Sequence, residues 1–217
     1  MRYSEFDKER EIIQTRICDA ITKQLNGKKP CAIEESVESN PTDVTDVIFN
    51  PKEEYDFAYF NIQWNWYRLG SSYTKLPDGR IIMIGGEYDD YYDPNFFIYN
   101  DVIVLANDKI TIYEYPTETF PATDFHKALL IDNYIWLFGS IGYNSSTKKQ
   151  ERIQVCRLDI NTMKMELIKT IGDSPLWMCF REPQHKCYLQ GSNEVIIEHK
   201  KDKWMFNITT LVWNSFY

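Results

Sequence analysis

Asp124 and His126 sit two residues apart in the stretch PATDFHKA, at the entry to a run that reads as a β-strand. A carboxylate beside an imidazole is the arrangement that makes a general base. No Ser or Cys stands next to them in a nucleophile context such as G-x-S-x-G. The alternative role is structural, since a polar pair at a strand entry can satisfy backbone groups.

The densest cluster of reactive side chains is Glu87, Tyr88, Asp89, Asp90, Tyr91, Tyr92 and Asp93. Carboxylates bind divalent cations, but a calcium loop of the helix-loop-helix type needs oxygens at set positions, a glycine at the sharp turn and a closing Glu. That template is absent, and no metal site is expected. The mixture fits a protein-binding loop better: tyrosines supply rigid amphipathic contact area, and carboxylates attract Lys or Arg. A solvated loop with its tyrosines packed on neighbouring strands explains the same residues.

Three histidines, His126, His185 and His199, are too dispersed to form a zinc set with Cys179 and Cys187. The five cysteines are odd in number and contain no CxxC pair, as expected of reduced thiols in a cytoplasmic protein. GRIIMIGGEY lacks the glycine spacing of a phosphate cradle, and no GxxxxGK[ST] occurs, so no nucleotide or other cofactor is expected. Trp64 and Trp66 offer a carbohydrate platform if they leave a strand on alternating sides, which keeps sugar binding or sugar modification as the alternative function.

These side chains need a scaffold, and 217 residues at 43% hydrophobic content can bury a sizeable core. A formal charge of −8 disfavours nonspecific binding to nucleic acid or anionic membrane and favours a basic partner. No segment is apolar for long enough to span a membrane.

The scaffold reads as repeated strands. RIIMIGG at residues 80–86 is a short apolar strand ending in a glycine pair, and NYIWLFGS at 133–140 echoes it. A tight turn and a preceding strand lie before each, and a loop with two further strands follows. The turns at residues 106–109 and 159–162 close the second hairpins. A weaker third copy runs over 185–216 without the glycine pair. Four strands per unit at a period of roughly 50 residues is the signature of propeller blades. Near the N-terminus, Phe6, Ile13, Ile17, Ile21 and Leu25 recur at helical spacing over residues 4–26, predicting an amphipathic helix docked on the β core. Residues 28–55 read as an irregular connector and 57–69 as one or two strands.

The apolar strand, Gly-Gly, variable loop, NDVIVL-type strand and short turn resemble the kelch motif, from about Trp66 to the C-terminus. The stretches LPDGRIIMIGGEYDDYYDPNFFIYNDVIV, FPATDFHKALLI and GDSPLW resemble, in that order, a group of uncharacterised bacterial kelch-like proteins. The resemblance implies a fold and no established chemistry. The expected protein is therefore mainly β: an incomplete kelch-like β-propeller of about three four-stranded blades over residues 57–217, with residues 1–56 packed on it as helix and connector. Three blades are too few for a closed ring. The open arc is expected to be covered by the N-terminal segment, with completion in a homodimer as the alternative. The expected function is non-catalytic binding of a basic protein through residues 87–93 with Asp124 and His126, an immunity protein that neutralises a toxic effector being the concrete case.

Overall fold

The computed structural model describes residues 12, 13, 15–17, 20, 42, 43, 68–88, 97–107, 109–139, 152–176 and 186–216, and their regular structure is β-strand apart from a few helical residues near the N-terminus. Strands β1 (Thr42–Asp43), β2 (Ser72–Lys75) and β3 (Ile81–Ile84) are followed by the short pair β4 (Glu87–Tyr88) and β5 (Phe97–Ile98). Then come β6 (Asp101–Ala106) and β7 (Lys109–Glu114). The first sheet has the order β1-β7-β6-β3-β2. The second is a meander of β8 (Lys127–Ile131), β9 (Tyr134–Gly139), β10 (Gln154–Asp159) and β11 (Met165–Ile168). The third is a meander of β12 (Lys186–Gln190), β13 (Glu194–His199), β14 (Asp202–Asn207) and β15 (Val212–Phe216). All pairings within these sheets are antiparallel.

The apolar runs read from the sequence are continuous because their strands are buried on both faces. In β3, Ile82 and Ile84 join one core with Ile135 and Leu137 of β9, while Ile81 and Met83 face a different core. In β9, Trp136 and Phe138 turn the other way, toward Val195 and Ile197 of β13. The three sheets therefore stack face to face, the second buried between the first and third. The layer between the second and third is aromatic. Phe206 lies 4.8 Å from Trp213 and 5.7 Å from Phe138 between ring centroids, within the range of favourable tilted and edge contacts.

The two ends of the stack are finished differently. On the first sheet, Ile13, Ile17 and Ala20 are helical and buried against Ile81, Met83, Ile103 and Ile112, while Ile12 points to solvent. The rest of the helix expected over residues 4–26, including Phe6, Ile21 and Leu25, lies outside the described residues. On the third sheet the outward face is polar around Ile196: the Tyr188 hydroxyl donates to Glu198 Oε1 at 2.8 Å, and Lys203 Nζ lies 3.5 Å from the same carboxylate.

Two parts of the sequence reading need correction. The connector over residues 28–55 contains a strand, β1, paired with the outer strand β7 at Thr42–Glu114 and Asp43–Tyr113. The stretch after Gly86 opens as a strand, with Glu87 opposite Ile98 and Tyr88 opposite Phe97. Among the described residues no helix is long and apolar enough to cross a membrane.

Candidate functional site

The loop end of the first two sheets is where β3 stops, β6 starts and the chain crosses from β7 to β8. Its centre is Arg68, which is fully buried. The guanidinium meets Asp101 with both arms, Nη1 on Oδ1 and Nη2 donating to Oδ2 at 2.8 Å. Nη1 also donates to the Gly85 carbonyl at 3.2 Å, and the planar group lies 3.5 Å from the Tyr99 ring centroid. A two-armed ion pair stacked on an aromatic ring holds its geometry more tightly than a point charge would. Asp101 in turn acts on Glu114, opposite it on β7: burial first, then the Asp101 charge, raises the Glu114 carboxyl above its ordinary range.

Gly85 and Gly86 are required by the crowding at this point. Both have positive φ, 55° and 97°, which side chains disfavour. The Gly85 N–H donates to the Asp101 carbonyl and the Gly86 N–H to the Thr123 carbonyl. A Cβ on Gly85 would stand 2.3 Å from the Thr123 oxygen. Gly85→Ala is therefore expected to destabilise the fold by about 2 kcal/mol, read as a lower midpoint with unchanged slope in urea unfolding.

The β4–β5 pair rises from this knot. Leu69 and Glu87 exchange backbone hydrogen bonds of 2.7 and 2.9 Å, and the Tyr99 N–H donates to Gly86 O at 2.9 Å. The base of the β4–β5 pair is thus fastened to the Arg68 segment. Of the expected contact residues, Tyr88 is placed in β4, and Asp89, Asp90, Tyr91, Tyr92 and Asp93 lie outside the described residues. Glu87, Asp124 and His126 are buried, at 1%, 0% and 6% exposure, so in this conformation they hold the loop end from beneath.

Between Asp124 and His126 stands Phe125, with φ of 48°. A bulky side chain in the left-handed region is strained by about 1–3 kcal/mol and persists only where its surroundings impose it. Here the Phe125 N–H donates to Gly70 O at 2.7 Å, and its ring packs at the edge of the aromatic layer.

The His126 ring is bonded to Ser72 on β2, Nε2 to Oγ at 2.7 Å, while Nδ1 has no partner among the described residues. A buried N–H without an acceptor costs more than a bare ring nitrogen. The tautomer with its proton on Nε2, shared with Ser72 Oγ, is the one that leaves no N–H of the ring unpaired. Burial, and then the charge of Lys127, pushes the ring pKa down to about 3. The ring protonates more readily in the unfolded chain, so its contribution to stability is complete above the ordinary value of 6.5 and is lost progressively as pH falls toward 3. Between pH 7 and pH 5 the protein is expected to lose about 1–2 kcal/mol more stability than a His126→Gln variant, measured by urea midpoints.

Reasoning from sequence missed Arg68, Asp101 and Ser72. Arg68 closes the first apolar-polar run and Asp101 opens NDVIVL, but only the fold brings them together across 33 positions. Burial pushes the Cys156 and Cys187 thiols up to about 12, leaving both protonated near neutral pH; Cys18, Cys31 and Cys179 lie outside the described residues. Among the described residues no three His, Cys, Asp or Glu side chains are grouped as metal ligands. Compared with known proteins, the chain matches no family model and none of the curated proteins searched.

Proposed function

We propose that this chain is a non-catalytic protein-binding module, an incomplete kelch-like propeller whose contact surface is the hairpin over residues 87–98. The observation that carries the reading is the fastened hairpin base. Gly85–Gly86 and the buried Arg68–Asp101 pair fix where β4 and β5 leave the first sheet, so the connection bearing three aspartates and two tyrosines starts and ends at a rigid support. Preorganised support reduces the ordering cost of binding. Carboxylates raise the rate of encounter with a basic surface, and tyrosine rings provide contact area after docking. The form that matches this chemistry is a cytoplasmic immunity protein that covers the basic surface of a toxic effector.

The test is affinity capture from the native cell with the intact chain and with a variant carrying Asp89→Asn, Asp90→Asn and Asp93→Asn. A basic protein retained by the first and depleted from the second is the expected result. Equal retention by both would remove the acidic-loop mechanism, and retention of no specific protein would remove the binding-module reading.

A further inference from the structure

Asp78–Gly79 is the only Asp-Gly pair in the sequence, and it stands at the tip of the hairpin that joins β2 to β3. The Leu76 N–H donates to the Arg80 carbonyl at 2.8 Å and the Gly79 N–H to the Leu76 carbonyl at 3.0 Å, closing a loop of Pro77, Asp78 and Gly79. Hairpin loops of this length take a left-handed residue in the last position, and Gly79 fills it with φ of 90°. The Asp78 side chain is 51% exposed, and no atom lies within 4 Å of where a Cβ on Gly79 would stand. Without that side chain, nothing shields the Gly79 nitrogen from the carboxyl that precedes it.

The folded loop turns the carboxylate the other way. Asp78 Oδ1 accepts from the Arg80 backbone N–H at 3.0 Å, and Oδ2 accepts from Arg80 Nε at 2.8 Å. The same guanidinium is anchored on the second sheet, where Nη1 donates to the Ile160 carbonyl at 2.8 Å. The backbone bond from Arg80, and then its side-chain bond, holds the Asp78 carboxyl below its ordinary range. An ionised carboxylate is a poor acceptor of a nucleophile, because its hydroxyl must leave as water.

We propose that Asp78–Gly79 is a site of spontaneous backbone isomerisation, restrained in the folded chain by Arg80. In the reaction the Gly79 nitrogen bonds to Asp78 Cγ, and the carboxyl hydroxyl leaves as water with the proton of that nitrogen. The product is a five-membered succinimide. Water then adds at either ring carbonyl and opens it to aspartate or to isoaspartate, in which the main chain runs through Cβ. No oxidant or other reagent is consumed. Three bonds oppose the attack: the two that Arg80 makes to the carboxylate and the one that ties the Gly79 N–H to Leu76. Isoaspartate would lengthen the loop by one main-chain atom, displacing Arg80 from the Ile160 carbonyl that joins the first sheet to the second.

The test is to keep the intact chain and an Arg80→Ala variant for weeks in mildly acidic buffer, folded and in concentrated urea, and to measure isoaspartate in the Asp78 peptide by electron-transfer fragmentation. The unfolded parent is expected to accumulate it about tenfold faster than the folded parent, the effect of losing hydrogen bonds to a charged group. Arg80→Ala is expected to raise the folded rate by about threefold, the most that a half-exposed ion pair is expected to hold back, and to leave the rate in urea unchanged. Asp173–Ser174 is the internal comparison: its carboxylate is 87% exposed and lies 3.4 Å from Arg152. Its rate should be the same in parent and variant, whereas general loosening of the fold would raise both sites together. If Arg80→Ala does not fold, Arg80→Lys, which keeps a charge and gives up the planar fork, is read in its place. Equal rates in the folded and unfolded parent, no isoaspartate at Asp78 in urea, or a folded variant that ages like the parent would overturn the proposal.

Discussion

Arg68→Met is expected to lower the unfolding free energy by about 3–5 kcal/mol, the range for removing one member of a buried ion pair. For a chain of this size that is a fall in melting temperature of about 6–20 °C. The loss arises mainly from the buried Asp101 carboxylate and the Gly85 carbonyl, both of which lose their bonds to the guanidinium. Arg68→Lys keeps a charge but gives up the fork and the stacking on Tyr99, so it should recover only part of the loss. The discriminating variant is double: Arg68→Met with Asp101→Leu removes both charges and should be more stable than Arg68→Met alone. Additive losses would show that the pair is not the keystone of the loop end.

Strands whose stability comes from their own burial were legible in the sequence. Ile81–Ile84 and Tyr134–Gly139 read as buried strands because each offers apolar side chains to two cores at once. The outer strand β7 was legible as alternation, with Ile110 and Ile112 turned inward. Strands that exist through a neighbour's edge were not legible. Thr42–Asp43 is polar and two residues long, and it is a strand only because β7 presents a free ladder. Glu87–Tyr88 is a strand only because Leu69 and Phe97–Ile98 flank it.

Composition did not report the depth of the residues at the loop end. Aspartate, glutamate and histidine are seldom fully buried, so Glu87, Asp124 and His126 read as contact residues. Their burial follows from long-range closures that no local pattern announces: His126 meets Ser72 across 54 positions, and Arg68 meets Asp101 across 33. The strained Phe125 between them was equally invisible, because its backbone angle is imposed by Gly70 and the surrounding sheets.

Electrostatic steering of a basic partner by the hairpin is the central claim, and its most direct measurement is the association rate as a function of salt. With the captured partner in hand, the parent chain should associate rapidly at low ionic strength and slow steeply as salt is added, while dissociation changes little. Asp89→Asn, Asp90→Asn and Asp93→Asn together should slow association by about tenfold to a hundredfold at low salt and flatten that dependence. The variant's urea unfolding is followed beside the rates, and a midpoint equal to the parent's is the expected result. An unchanged association rate and an unchanged salt slope in a folded variant would contradict the account.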